Sequence, residues 1–352
     1  STLRMRTLGL GWVKLYSETA GHRCPDRFIR PTEDRAMSFA IHGPHERIET
    51  HSKRERFALQ LFDRLWLQYR SRVQYVQVYE KLVHEANATF FNDHIALRTF
   101  ANQDPQTGIS TLSRIFEALG YRGVECYQFE DKHLGAIYFQ HPHPKFPKIF
   151  ISELRTWELS AASQRIIQSL LASHRPAPSV ELLSGLQNLE SLPKEEANTL
   201  LAQVDSYFLE LPWNLPVKEH VLELNKETQY GAWVLVHGYA VNHFTSLINS
   251  HGPGPLSDID KTSQALAKAG VPMKKEIEGE KGSKLRQTAT EAVMVQVPVM
   301  DGGSQILLPW SYAYFELAQR DPFIDTKTGN ESRYEGFLGP QATNLFEMTR
   351  LK

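Results

Sequence analysis

The chain has 352 residues, 41% hydrophobic and 22% charged, enough for two or three ordinary soluble domains. Thirty-nine Lys and Arg against forty Asp and Glu leave a net charge of −1, which gives no global electrostatic case for nucleic acid or an anionic membrane. Two cysteines, Cys24 and Cys126, exclude a disulfide scaffold or a Cys-rich metal cluster.

No apolar run approaches the roughly 20 residues of a membrane span, and no hydrophobic stretch of a secretory signal lies near the start. The expectation is an intracellular soluble protein. Residues 1–52 carry scattered arginines (Arg4, Arg6, Arg23, Arg27, Arg30, Arg35) without sustained periodicity. They read as a loose extension. The alternative is a remnant of organelle targeting, which would make the location plastid instead of cytoplasmic, but Glu18, Asp26, Glu33 and Asp34 count against it.

Residues 53–352 read as one catalytic unit. Phe57, Leu61, Leu65 and Tyr69 recur every four residues beside Phe62 and Trp66, predicting an amphipathic helical segment over 53–86. A first module follows over 90–155. Asn92–Phe100 is strand-like, Thr107–Leu119 is a short helix stopped by Gly120, and Tyr121–Glu130, His133–His141 and Lys148–Arg155 are β-rich. A helical insertion spans 156–238, broken at His174–Ser179 and Leu211–Pro216. The first pattern then returns over 240–321. Val241–Ile248 is a strand and Leu256–Ala269 a helix stopped by Gly270. Further strands are expected around Lys274–Gly279, Leu285–Met300 and Ser304–Arg320, and a C-terminal segment covers 322–352. The expected class is α+β, with two β-α-β-β-β modules and added helices. Such duplication outranks local signals in reading a fold.

Both copies open with an Asx-His dipeptide, Asp93-His94 and Asn242-His243, 149 residues apart. Alternate strand residues share a face, so His94, Ala96, Arg98 and Phe100 go together, as do Val241, His243, Thr245 and Leu247. In the last strand Tyr312, Tyr314, Glu316, Ala318 and Arg320 do the same. If the three faces converge on a cleft between modules, it holds His94, His243 and Glu316. Two imidazoles and a carboxylate with open positions suit Fe(II) and O₂ chemistry, though the set also accepts Mn, Co, Ni or Zn. A lone His on an apolar strand is more often structural; a Glu between Phe315 and Leu317 is harder to explain so, because a buried carboxylate is costly unless paired or metal-bound.

The β-α-β-β-β duplication resembles the vicinal oxygen chelate fold of glyoxalases and extradiol dioxygenases. Tyr314–Arg320 (YFELAQR) is similar to the last-strand iron-ligand motif of 4-hydroxyphenylpyruvate dioxygenase. Residues 55–350 resemble the 2-oxoadipate dioxygenase/decarboxylases, also called hydroxyglutarate synthases. In that family a metal-binding His is followed four residues later by an Arg that binds the substrate carboxylate, which implies His94 and Arg98 (HIALR) here. The second ligand His occurs in an Asn-His-[Phe/Leu]-Thr context, matched by Asn242–Thr245. The resemblance implies an Fe(II) enzyme converting 2-oxoadipate to 2-hydroxyglutarate and CO₂ in lysine catabolism. Its partners would be a small 2-oxo diacid and O₂, with neither nucleic acid nor membrane. A family Ser in a C-terminal Leu-Pro-x-Ser-Ala-Ala stretch is replaced by Gln341 in Phe337–Glu347, and a Gln amide can also donate to a carboxylate.

Glu153, on the last strand of module one, stands where glyoxalase-type enzymes place a fourth ligand, although a supporting hydrogen-bonding role is favoured. Arg320 reads as an ion-pair partner at a strand end, and His141 and His143, between prolines, as a surface loop. A glyoxalase-like isomerase or lyase and a metal-free binding protein remain alternatives. The motifs of nucleotide binding and serine hydrolysis are missing.

Overall fold

The computed structural model describes residues 43–175, 178–337 and 346–350. Helix α1 (Lys53–Arg72) starts where the Ser52 hydroxyl accepts from the Glu55 amide, and α2 (Tyr75–Glu85) follows after a break at Val73. Strands β1 (Phe91–Gln103) and β2 (Gln106–Thr107) lead into α3 (Ile109–Ala118). Then come β3 (Arg122–Phe129), β4 (Leu134–Gln140) and β5 (Lys148–Arg155). The helical insertion consists of α4 (Ala161–Leu171), α5 (Val180–Gln187), α6 (Lys194–Leu209), α7 (Lys218–Glu227) and α8 (Gln229–His237). The second module has β6 (His243–Leu247), α9 (Ile259–Lys268), β7 (Arg286–Ala289), β8 (Met294–Asp301), β9 (Ser304–Ser311) and β10 (Glu316–Gln319). Among the described residues no helix is long and apolar enough to cross a membrane.

One sheet joins the modules in the order β3-β4-β5-β1-β6-β10-β7. At its middle β1 lies parallel to β5 and antiparallel to β6, while β10 lies parallel to β6 and antiparallel to β7. The pairing reveals the duplication. β10 stands to β6 as β5 stands to β1, and β7 stands to β10 as β4 stands to β5. Glu278, bridged to Gln287, marks the counterpart of β3.

This corrects two expectations. Leu285–Met300 is not one strand but β7 and β8, and Ser304–Arg320 is β9 and β10 with Tyr312–Phe315 between them. The β8–β9 hairpin is a separate two-stranded sheet inserted into the repeat, joined outside itself by a bridge from Met300 to Val217. Its residues alternate like any half-buried strand, so periodicity could not tell it from a member of the main sheet.

Strand alternation divides the core. Phe244 and Phe315 point to the side covered by α1 and α2, where Trp66 meets them edge-on at 5.0 and 6.1 Å between centroids. On that side Tyr79 also donates or accepts at the Ser246 hydroxyl. The other face carries His94, His243 and Glu316.

Candidate metal centre

Register brings the trio together. Thr245 on β6 is the cross-strand partner of His94 on β1 and of Glu316 on β10. His243 shares its face, two residues earlier. All three side chains are buried where the strands meet. His94 Nε2 and His243 Nε2 are 3.3 Å apart, and each lies 3.6 Å from a different Glu316 oxygen. All three residues are buried, Glu316 completely. Among the described residues they form one group of potential ligands within 4.8 Å of one another.

The outer nitrogens of the imidazoles are engaged. Asp93 Oδ2 lies 2.8 Å from His94 Nδ1, and Asn242 Oδ1 lies 3.0 Å from His243 Nδ1. A carboxylate only accepts, so His94 Nδ1 carries the hydrogen and Nε2 presents its lone pair inward. The Thr245 hydroxyl, 2.9 Å away, donates to that Nε2. Burial lowers the basicity of His94, despite the opposing pull of Asp93, and lowers that of His243 further. Both are thus neutral at physiological pH, the form that binds metals.

Glu316 behaves differently. Gln287 Nε2 donates to its Oε1 at 2.7 Å, while its buried Oε2 has no hydrogen-bond partner among the described residues. Burial, with Glu278 and Asp93 nearby, pushes its carboxyl up to about 8. An orphaned carboxylate oxygen beside two inward lone pairs is costly unless a cation completes it. The donor set therefore fits a divalent transition metal. Tyr314 stacks on His243 at 4.8 Å, and Phe337 meets His94 edge-on at 4.9 Å.

Arg98 lines the same cavity as His94 and His243, together with Phe150, Phe337 and Phe346. Its guanidinium lies over Tyr230 and Trp233 at 4.9 and 5.1 Å, and Nη1 donates to the Thr349 hydroxyl at 2.9 Å. Gln341 lies outside the described residues.

Glu153 is turned away from this centre. On the β1–β5 ladder His94 pairs with Lys148 and Arg98 with Ser152, whereas Glu153 pairs with Thr99, on the opposite face. Its Oε2 accepts from the Ile109 amide at 2.8 Å and so caps α3. Gly108, at φ +110°, makes room, since a Cβ there would sit 2.6 Å from that oxygen. The fourth-ligand reading of Glu153 is therefore set aside. Arg320 does form an ion pair, but a buried one with Asp93. Burial resists ionisation of Asp93, and Arg320 and Lys148 outweigh it to hold the carboxyl well below the usual range. His141 is stacked on Phe146, and the His143 amide donates to its Nδ1, which makes it a packing residue. Sequence reasoning passed over Asp93, Asn242 and Gln287 as partners of the ligand set, although the repeated Asx before His was in plain view.

The sequence profile of the 2-oxoadipate dioxygenase/decarboxylases matches residues 63–339. A chloroplastic 2-oxoadipate dioxygenase/decarboxylase of Arabidopsis thaliana is 27% identical over 278 residues, 73% of this chain and 67% of that protein. A chloroplastic/amyloplastic one from Oryza sativa subsp. japonica is 30% identical over 275 residues, 73% of this chain and 68% of its own length. The crystal structure of hydroxyglutarate synthase from Oryza sativa in complex with 2-oxoadipate superposes with a TM-score of 0.68 at 25% identity, covering 86% of this chain and 97% of that one. The joined modules have the oxygen-chelate architecture. A match that runs from α1 past Phe337 and encloses the whole buried trio places the chain in the 2-oxoadipate dioxygenase/decarboxylase family.

Proposed function

We propose that the chain is an Fe(II)-dependent dioxygenase that converts 2-oxoadipate and O₂ to 2-hydroxyglutarate and CO₂, with iron held by His94, His243 and Glu316. The atoms balance: C1 leaves as CO₂ and both atoms of O₂ end in the products. The observation that carries the reading is the orphaned Oε2 of Glu316, buried opposite two imidazoles whose outer nitrogens are already engaged. The related rice enzyme was crystallised with 2-oxoadipate, which supports the substrate class.

Bound Fe(II) would supply a Lewis-acid seat for the 2-oxo acid and the redox chemistry that O₂ requires. The chain's own residues do the rest. Arg98, four residues beyond His94 on the same face, lies roughly 13 Å along the strand from it, a span that two inward-leaning side chains and a six-carbon diacid can bridge. Its fork matches the distal carboxylate in two hydrogen bonds. Tyr230 and Trp233 hold the guanidinium flat. Phe337, against His94, and Phe150 behind it wall the reacting end from water, and Phe346 lies beside Arg98. With Glu153 on the other face, three protein ligands leave room for substrate and O₂, which supports oxygen chemistry over a glyoxalase-type isomerisation.

The test is oxygen uptake by Fe(II)-loaded protein across a panel of 2-oxo acids. Uptake matched by CO₂ release is expected with 2-oxoadipate and not with short monoacids. Product formation at full rate without O₂ would replace this reading with the isomerase or lyase.

A further inference from the structure

The Asx-His dipeptide occurs at the head of each module, and its two copies are wired differently. Asn242 is neutral, and its Nδ2 has no partner among the described residues. Asp93 is gripped by Arg320 through two hydrogen bonds, Nε to Oδ1 at 2.6 Å and Nη2 to Oδ2 at 2.9 Å. Oδ2 is also the atom that accepts from His94 Nδ1. Arg320 lies four residues beyond Glu316, directly after β10, so the segment that brings the carboxylate ligand from module two also anchors the histidine ligand of module one. Its remaining arm, Nη1, donates to the carbonyls of Tyr334 and Gly336, both at 2.8 Å. The next residue, Phe337, is the ring set edge-on against His94.

We propose that Arg320 is a positioning residue of the metal centre: through Asp93 it fixes the orientation and Nδ1–H tautomer of His94, and through two backbone carbonyls it seats Phe337 against the same ring. The fork is essential. Asp93 without it could rotate about its side-chain bonds, and a carboxylate free to rotate no longer dictates which imidazole nitrogen faces inward. Fixing a ligand histidine through an outer carboxylate typically changes metal affinity ten- to a hundredfold. Lys, with a single ammonium, could meet one oxygen of Asp93 but not both oxygens and two carbonyls together.

The inference rests on the metal reading above, so the experiment separates the two. Nitrogen-15 NMR of the imidazoles in metal-free protein reads the His94 tautomer, and chelator competition reads the Fe(II) dissociation constant. In Arg320→Gln the His94 Nε2–H tautomer should appear while the His243 spectrum stays as in wild type. Fe(II) should bind ten- to a hundredfold more weakly, and Arg320→Lys should recover only part of the loss. If Arg320→Gln fails to fold because Asp93 is left buried without its counter-charge, the double variant Asp93→Asn, Arg320→Gln removes the buried charge. It makes the first dipeptide a neutral copy of the second, and at least a tenfold weaker affinity is expected there too. An unchanged tautomer with affinity within twofold of wild type, in whichever variant folds, overturns this inference alone. Wild-type protein that binds no Fe(II) overturns it together with the metal reading.

Discussion

His94 and Arg98 share one face of β1, four residues apart, and both line the cavity that Phe150 and Phe337 also wall. The Arg98 guanidinium is sandwiched among aromatic rings, with the Thr349 hydroxyl on Nη1. If Arg98 clamps the distal carboxylate as proposed, Arg98→Ala should lose a charge-assisted bond, ~1.5–3 kcal/mol and so roughly ten- to a hundredfold in kcat/KM. The loss should be selective. A monocarboxylic 2-oxo acid of similar length should be nearly as poor with wild type as with the variant, and iron content should not change. Steady-state kinetics on the two substrates checks both points, and equal damage to diacid and monoacid would make Arg98 structural.

Metal exchange should separate binding from turnover. Zn(II) suits two imidazoles and a carboxylate as well as Fe(II) does, but it has no redox chemistry to offer O₂. Zinc-loaded protein should therefore be inert toward 2-oxoadipate while remaining as heat-stable as the iron form. Activity with zinc, measured as CO₂ release, would favour a lyase.

Glu153 offers the opposite pattern. Its Oε2 caps the Ile109 amide on the far face of the sheet. Glu153→Ala should cost ~0.5–2 kcal/mol of stability, as lost helix caps do, and leave iron affinity unchanged. Denaturant unfolding and metal titration on the same variant distinguish the cap from a ligand.

His237 sets a pH dependence. Burial pushes it down to about 3, although Nε2 still donates to the Ser311 carbonyl at 2.9 Å. The unfolded chain takes up this proton near pH 6.5 and the folded chain resists it, so stability is full above about 6.5 and falls as the pH drops toward 3. The slope is up to about 1.4 kcal/mol per pH unit for one such group. His237→Gln, which keeps a donor for Ser311, should flatten thermal stability over that window, whereas an unchanged slope would assign the acid sensitivity to other groups such as His141.

Much of this was legible in the sequence because strands write a period of two. Alternation and duplication give His94, His243 and Glu316 faces that share a cleft if they converge, and a period near four puts Trp66 on the buried stripe of α1. The fourth-ligand alternative for Glu153 fails for a reason that alternation also explains. Its face depends on the register of β5 against β1, and one residue of slip exchanges the two faces. The β8–β9 hairpin carries the same periodicity as a sheet member, so only pairing could expose it as an insertion. Asp93 was visible, but its ion-pair partner Arg320 is 227 residues away, and no local pattern predicts that meeting. The identity of the substrate comes from resemblance, since the residues themselves give a cleft with two imidazoles, a carboxylate and a guanidinium.

Anaerobic Fe(II) titration of wild type beside His94→Ala, His243→Ala and Glu316→Ala tests the central claim most directly, with circular dichroism as the check on folding. The account predicts one iron per wild-type chain, with saturating metal at a hundred times the dissociation constant adding about 2.7 kcal/mol of stability. Each variant should keep its fold and lose most of its affinity and all turnover. Wild-type affinity retained in all three folded variants would contradict it.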